Sequence, residues 1–358
     1  MQGIVRVLTT VAIARRPALT LMALTIALSP NATFAGAAAT ARAISIATPT
    51  AGASHAVCAQ NPVASAALTR LRAAMEHGRF VAYHPTSLQV VYGHPTQADP
   101  DSIRADLEVL RSHFDSLITY GSINGQEAIP AIAASLGFRA VIIGIWDPFN
   151  PPELNAALST VKSNANVVVG ISLGNEMLLF HRHSPAELTN LFDTIHAQAP
   201  QLPLTTTEPF HIFYDSAAIP LLQRMDFLLA NVHPIFQPWF QKSSAGDSAQ
   251  FVANVVTQLA TNFCGPILVK ETGIPTAPAD KGYTDARQAA FYTELQHRFP
   301  DSPTRAFAYF SAFDAPWRLQ DPGPSPASPP QPEEAHFGLY TEKRHPKPVV
   351  AQIPPLAN

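Results

Sequence analysis

The chain has 358 residues, 47% hydrophobic and 14% charged, with a formal net charge of −3. That length suits one large α/β domain with extensions. Near-neutral charge without a Lys/Arg run argues against nucleic acid as a partner, since phosphate binding needs clustered positive charge. A neutral or weakly charged substrate is expected instead.

The N-terminus has the three-part layout of a secretory signal. Arg6, Arg15 and Arg16 precede the apolar stretch Pro17 to Ser29, and small residues in "ATFAGAAAT" offer cleavage sites near Ala35 to Ala39. The apolar stretch is shorter than the roughly 18 residues that suggest a membrane span. Secretion to the periplasm or cell envelope is therefore expected, an uncleaved anchor being the minor alternative. The domain reading is a signal segment over 1–37, an Ala/Ser/Thr-rich linker over 38–64, a catalytic unit over 65–350 and a tail over 351–358. Cys58 and Cys264 are a candidate long-range disulfide in an oxidising compartment; two unpaired small hydrophobic side chains are the alternative.

From residue 65 the pattern becomes regular. Ser65 to His77 reads as an amphipathic helix, 79–84 as a strand, 101–114 as a helix and 116–121 as a strand. A helix over 125–137 contains an awkward Pro130. The strand 139–146 is followed by a helix with Pro151 in its first turn, a favoured position. "NVVVGISLGNE" (166–176) is the fourth strand. Ser184, Pro185 and Glu187 open the next helix as cap, first position and capping-box partner. The alternation continues through the strands 203–209, 226–234, 266–273 and 305–314, with helices between, the first of them over 216–225. Eight short apolar strands separated by helical patterns predict an α/β fold, a single (β/α)₈ barrel. No Gly-rich phosphate-binding turn follows an early strand. After the eighth strand, "DPGPSPASPPQPEE" (321–334) carries six prolines and reads as a stiff extended loop.

In such a barrel, chemistry is built at the C-terminal strand ends. Glu176 ends the fourth strand and Glu271 the seventh, each after an otherwise apolar run. Two carboxylates converging on one mouth are what glycosidic bond cleavage requires: one protonated to assist the leaving group, one ionised to attack or direct water. Solvated rim residues are the alternative for each. "HRH" (His181, Arg182, His183) lacks metal-ligand spacing and reads as a loop; neither a metal nor a cofactor is expected. "GISLG" (170–174) matches the serine-hydrolase elbow, but Ser172 sits inside an apolar strand rather than on a sharp turn.

"GISLGNEM" and "LVKETGIPT" resemble the G-N-E and E-T-G-W-P-S/T signatures of glycoside hydrolase family 17, the β-1,3-glucanases and β-1,3-glucan transglycosylases. "ITYGS", "ANVHPIF", "AYFSAFDAPWR" and "EEAHFGLYTEKRHPK" agree in the same order, so the resemblance runs from about Phe80 to Lys347. It implies a retaining mechanism with Glu176 as acid/base, Glu271 as nucleophile and Asn175 bonding the sugar hydroxyl beside the reacting carbon, the 2-hydroxyl. His233 falls close to the nucleophile, or is a structural histidine before Pro234. Tyr83 and Tyr120 at strand ends are candidate sugar contacts or rim packing, and Asp314 and Trp317 lie in the F-D-A-P-W stretch. Trp317 offers an aromatic face to a sugar ring. Ile274, Ser311, Ala315 and Phe337 depart from the family pattern, where Trp, Glu, Glu and Trp stand. The expected partner is β-1,3-glucan. Transglycosylation, or glucan binding with impaired catalysis, is the alternative.

Overall fold

The computed structural model describes residues 56–59, 65–91, 94–299, 301–319 and 331–356. The signal segment, most of the linker and most of the Pro-rich loop lie outside them. Eight parallel strands close on themselves in chain order. They are β1 (Phe80–Ala82), β2 (Ser116–Ile118), β3 (Ala140–Ile145), β4 (Val168–Asn175), β5 (Leu204–Pro209), β6 (Leu228–Asn231), β7 (Ile267–Thr272) and β8 (Arg305–Tyr309). Phe80 closes the ring, pairing with Ser116 on one side and Ala308 on the other. Nearly every strand residue is buried, because the barrel interior and the surrounding helices cover both faces. The (β/α)₈ expectation is met.

Eight α-helices accompany the strands among the described residues: α1 (Ala66–His77), α2 (Pro100–Leu110), α3 (Ile129–Ser135), α4 (Pro151–Ser163), α5 (Pro185–Gln198), α6 (Ile219–Leu222), α7 (Ala245–Asn262) and α8 (Asp285–Arg298). Sequence pattern placed α1 only as a helix before the first strand. It closes the lower end of the barrel: Leu71, Ala74 and Met75 pack on the inward-facing Phe80, Ile118, Ile142, Val169, Phe227 and Leu268. Arg70 fastens it to the start of β4, donating to the carbonyls of Ala165 (2.6 Å) and Val168 (3.2 Å).

Several local readings are refined. Pro130 is harmless because α3 begins one residue earlier, after a 3₁₀ turn at Gln126–Ala128, so the proline lies in the first turn. The capping box at Ser184 and Glu187 is formed. The helix expected over 216–225 shrinks to a 3₁₀ turn and the four residues of α6, with Pro220 in its first turn. Pro332–Ala335, at the end of the Pro-rich stretch, forms a 3₁₀ turn with Ala335 fully buried. At the C-terminal end, Val349, Val350 and Ile353 are buried, and Arg79 donates to Pro354 O at 2.6 Å.

Cys58 and Cys264 are joined in a disulfide, with Cα atoms 4.9 Å apart. Val57 runs beside Phe263 as a parallel bridge, its N–H donating to Asn262 O at 2.8 Å. The bond thus ties the segment before α1 to the turn that leads into β7.

Candidate active site

Both proposed catalytic strands break regular pairing just before their carboxylates. Along β4, Ser172 pairs with Thr205 but Asn175 with Thr207, so β4 carries an extra residue there. Gly174 (φ +88°) and Glu176 (φ +54°) both adopt left-handed backbone. A Cβ on Gly174 would crowd the Met177 side chain, and the left-handed backbone there favours glycine. The turn is held from β5: Thr207 O accepts from Glu176 N (2.8 Å), and Thr206 Oγ1 donates to Leu173 O (2.8 Å).

Along β7 the pairing jumps from Ala230–Val269 to Asn231–Glu271 on one side, and from Phe307–Val269 to Tyr309–Thr272 on the other. One inserted residue disturbs the alternation that would send consecutive side chains to opposite faces. Lys270 and Glu271 therefore serve the same site. Lys270 Nζ lies 3.8 Å from Glu271 Oε1, 2.6 Å from Asn175 Oδ1 and 4.1 Å from the centroid of the Tyr120 ring.

The two carboxylates are driven in opposite directions. Burial, followed by the charge of Glu271, raises the Glu176 pKa; Asn231 opposes this by donating Nδ2–H to Oε1 at 3.0 Å. Burial alone would raise Glu271 as well. A hydrogen bond from His233 Nε2–H (3.3 Å) and the Lys270 charge outweigh it, and Glu271 is held below the usual carboxylate range. The Tyr120 phenol faces the same carboxylate without closing a hydrogen bond of normal geometry. Two carboxyls pushed apart in this way can hold a proton donor and an ionised carboxylate in one mouth.

A third carboxylate supports the first. Glu208, at the end of β5 and fully buried, accepts from Leu178 N (2.8 Å) and Leu179 N (3.2 Å), fixing the chain beyond Glu176. Burial, with the charge of Glu176 adding, raises its pKa to about 7. Arg182, read from sequence as part of a solvated loop, donates to Asn175 O and lies over the Trp146 ring at 5.3 Å. His183 stacks on Phe149 at 3.8 Å.

Of the residues singled out in the sequence, Glu176, Glu271, Asn175, Tyr120 and His233 converge. His233 is boxed edge-on by Phe236, Phe310 and Phe337, so the departure at Phe337 is one wall of that box. Tyr83 does not join them. It is fully buried, and its hydroxyl donates to Asp106 Oδ2 (2.9 Å) on α2, which leaves no face for a ligand. The Asp314 carboxylate accepts from Lys347 Nζ (2.6 Å) and Gly338 N (2.9 Å). These contacts are those of a strut between the β8 loop and the C-terminal segment. Trp317 is partly exposed, edge-on to His84. Ile274, Ser311 and Ala315 are buried in packing contacts. Ser172 is also buried, its hydroxyl 2.9 Å from Thr207 Oγ1, and so has no elbow geometry.

Sequence reading missed Asn231, Lys270, Glu208 and Arg182. Glu208 ends "PLTTTEP" as Glu176 ends its own strand, and the same signal would have found it. Among the described residues no cluster of three His, Cys, Asp or Glu could hold a metal, and no helix is long and apolar enough to cross a membrane.

Comparison with known proteins agrees with this architecture. A curated glucan 1,3-β-glucosidase of Arthroderma benhamiae is 26% identical over 270 residues, 70% of this chain and 84% of that protein. The crystal structure of a family 17 β-1,3-glucanosyltransferase from Rhizomucor miehei superposes with a TM-score of 0.58 at 21% identity, covering 76% of this chain and 96% of that one. A β-1,3-glucanase and allergen of Cryptomeria japonica pollen gives 0.55 at 14% identity, covering 75% and 97%. At these identities the two structures speak to fold alone. The BtgE/BtgC glycoside hydrolase domain matches residues 81–338, most of the barrel. On that match the chain belongs to the BtgE/BtgC glycoside hydrolase domain family, a glycoside hydrolase family of the family 17 type.

Proposed function

We propose that this chain is an exported, retaining enzyme acting on β-1,3-glucan, with Glu176 as acid/base and Glu271 as nucleophile. One observation carries the reading: two strand-end carboxylates in one mouth with pKa values pushed apart, Glu176 up and Glu271 down. Glu271 would attack the anomeric carbon while Glu176 passes its proton to the departing glycosidic oxygen. The resulting glycosyl ester would then be cleaved by water that Glu176 deprotonates. Because Oε1 of Glu176 already accepts from Asn231, its proton belongs on Oε2.

Unpartnered buried polar atoms support a polyhydroxylated ligand. Asn231 Oδ1, His233 Nδ1, Tyr120 Oη, Thr272 Oγ1 and Trp317 Nε1 lack hydrogen bonds within the protein. Leaving such atoms unmet is costly, and a sugar's hydroxyls would meet several of them. The choice of β-1,3-glucan rests on the glucosidase relative and on the family 17 motifs.

Replacement of each carboxylate tests the roles. Glu271→Ala should lower turnover on the order of 10⁴-fold or more for every substrate, with azide restoring only inverted product. Glu176→Ala should still form the intermediate from a nitrophenyl glycoside, and azide should capture it with retained stereochemistry. Rescue patterns swapped between the two variants would overturn the assignment. Transfer to a second sugar uses the same residues, and the Rhizomucor neighbour is itself a glucanosyltransferase. Products longer than the starting laminari-oligosaccharide would identify that outcome.

A further inference from the structure

Lys270 is 1% exposed at the centre of the mouth, in an otherwise apolar run, and the proposed double displacement gives it no step. Burying an ammonium is unfavourable unless its neighbours compensate it. Here they are Asn175 Oδ1 at 2.6 Å, Glu271 Oε1 at 3.8 Å and the Tyr120 ring at 4.1 Å. We propose that Lys270 is a positioning residue of the reaction, fixing which way the Asn175 amide faces and keeping Glu271 in its attacking form. This rests on the reading of Glu271 as nucleophile.

The first half follows from donor and acceptor inventory. An ammonium donates and never accepts, so only the oxygen end of the amide can face it. Asn175 Nδ2 is left with no hydrogen bond among the described residues. With its oxygen turned to the ammonium, the amide presents its NH2 end to a ligand. It therefore selects an oxygen bearing a free lone pair, as a sugar hydroxyl presents. Arg182 on the Asn175 carbonyl fixes the backbone of the same residue. Side chain and main chain are thus clamped from opposite elements, β7 and the loop after β4.

The second half is electrostatic. The charged or titratable groups around Glu271 and Lys270 are His233 from the loop after β6, Tyr120 from the end of β2, Glu176 from β4 and Glu208 from β5. Within that set, the Lys270 charge and the His233 hydrogen bond favour the ionised form of Glu271. Burial pulls the Lys270 pKa down to about 8, against the charges of Glu271, Glu176 and Glu208, so below neutrality the side chain remains an ammonium. The bulge at Lys270 is what makes this arrangement reachable, since regular alternation would turn the ammonium away from the carboxylate.

The test uses purified full-length enzyme with nitrophenyl β-glucoside, its 2-deoxy analogue and laminari-oligosaccharides. Lys270→Met should lower kcat/KM on the order of 10²-fold at the wild-type optimum. The acid limb of the kcat/KM–pH profile should move up by about one pH unit or more, because a charge favouring ionised Glu271 is gone. The penalty for removing the 2-hydroxyl should shrink several-fold, because the amide is then free to turn. Lys270→Gln also removes the charge, so it should shift the acid limb in the same direction; because its amide accepts as well as donates, it should not hold the 2-deoxy penalty at the wild-type value. A folded Lys270→Met enzyme with an unmoved acid limb and an unchanged 2-deoxy penalty would overturn the proposal, however slow it is. Should Lys270→Met fail to fold, an unmoved acid limb in Lys270→Gln does the same. Wild-type turnover in Glu271→Ala would instead remove the nucleophile reading on which the proposal stands, and is distinguished by that variant alone.

Discussion

Replacing Asn231 by Leu removes the donor that stabilises ionised Glu176. The Glu176 pKa, already raised by burial and by Glu271, should then rise further. The proposed mechanism needs Glu271 ionised and Glu176 protonated, so on that reading activity is lost as pH falls through the Glu271 pKa and as it rises through that of Glu176. The wild-type bell should therefore be broad, with its acid limb below and its alkaline limb above the ordinary carboxylate range. Asn231→Leu should move the alkaline limb upward and leave the acid limb in place; a kcat/KM profile against pH measures both. At this scale the sequence was most informative about the two glutamates, because an ionisable residue closing an apolar strand stands out. It was least informative about Asn231 and Lys270. An asparagine and a lysine in a strand become meaningful only when register and bulge bring them to a neighbour, and bulges leave no reliable mark on local composition. Tyr83 shows the opposite failure: a tyrosine at a strand end can point outward, and Asp106 on α2 draws it there.

Strands and helices were legible because short apolar runs alternate with helical patterns eight times, and the elements that departed from expectation have local causes. The strands proved shorter at both ends of the series, β1 covering Phe80–Ala82 and β8 Arg305–Tyr309, since pairing stops where the ring opens into loops. The β4 turn carries the prediction at this scale. Gly174→Ala places a methyl group against Met177 in left-handed backbone, which costs about 1–3 kcal/mol for the conformation alone. Met177 can yield, so the barrel should still fold, with a thermal midpoint lowered by several degrees. Activity should fall far more than that loss of stability explains, because the displaced turn carries Asn175 and Glu176. Comparing thermal unfolding with kcat/KM for this one variant separates the two effects.

For the whole molecule, two predictions reach beyond the barrel strands. The disulfide closes a loop of 206 residues, which by chain entropy corresponds to as much as about 5 kcal/mol. Reduction of purified protein should lower the thermal midpoint markedly, whereas Cys58→Ser/Cys264→Ser enzyme should be insensitive to reductant. Export is the second, read from the N-terminal pattern alone. Sequencing the first residues of exported material should find a start between about Ala35 and Thr40; a chain still beginning at Met1 in the membrane fraction would favour an anchor.

The helix that closes the lower end of the barrel has a consequence for how the chain is made. It leaves the ribosome before every strand it packs against, and its neighbour Cys58 must wait for Cys264. Folding in the order of synthesis would therefore leave α1 without a complete seat until the later strands arrive. An exported chain of this kind would cross a membrane with its floor missing and be sealed from below afterwards, on the oxidising side. Delaying oxidation during export should therefore leave a barrel whose strands are present but whose base is open to proteases near α1, a state that pulse-chase proteolysis with and without reductant can catch.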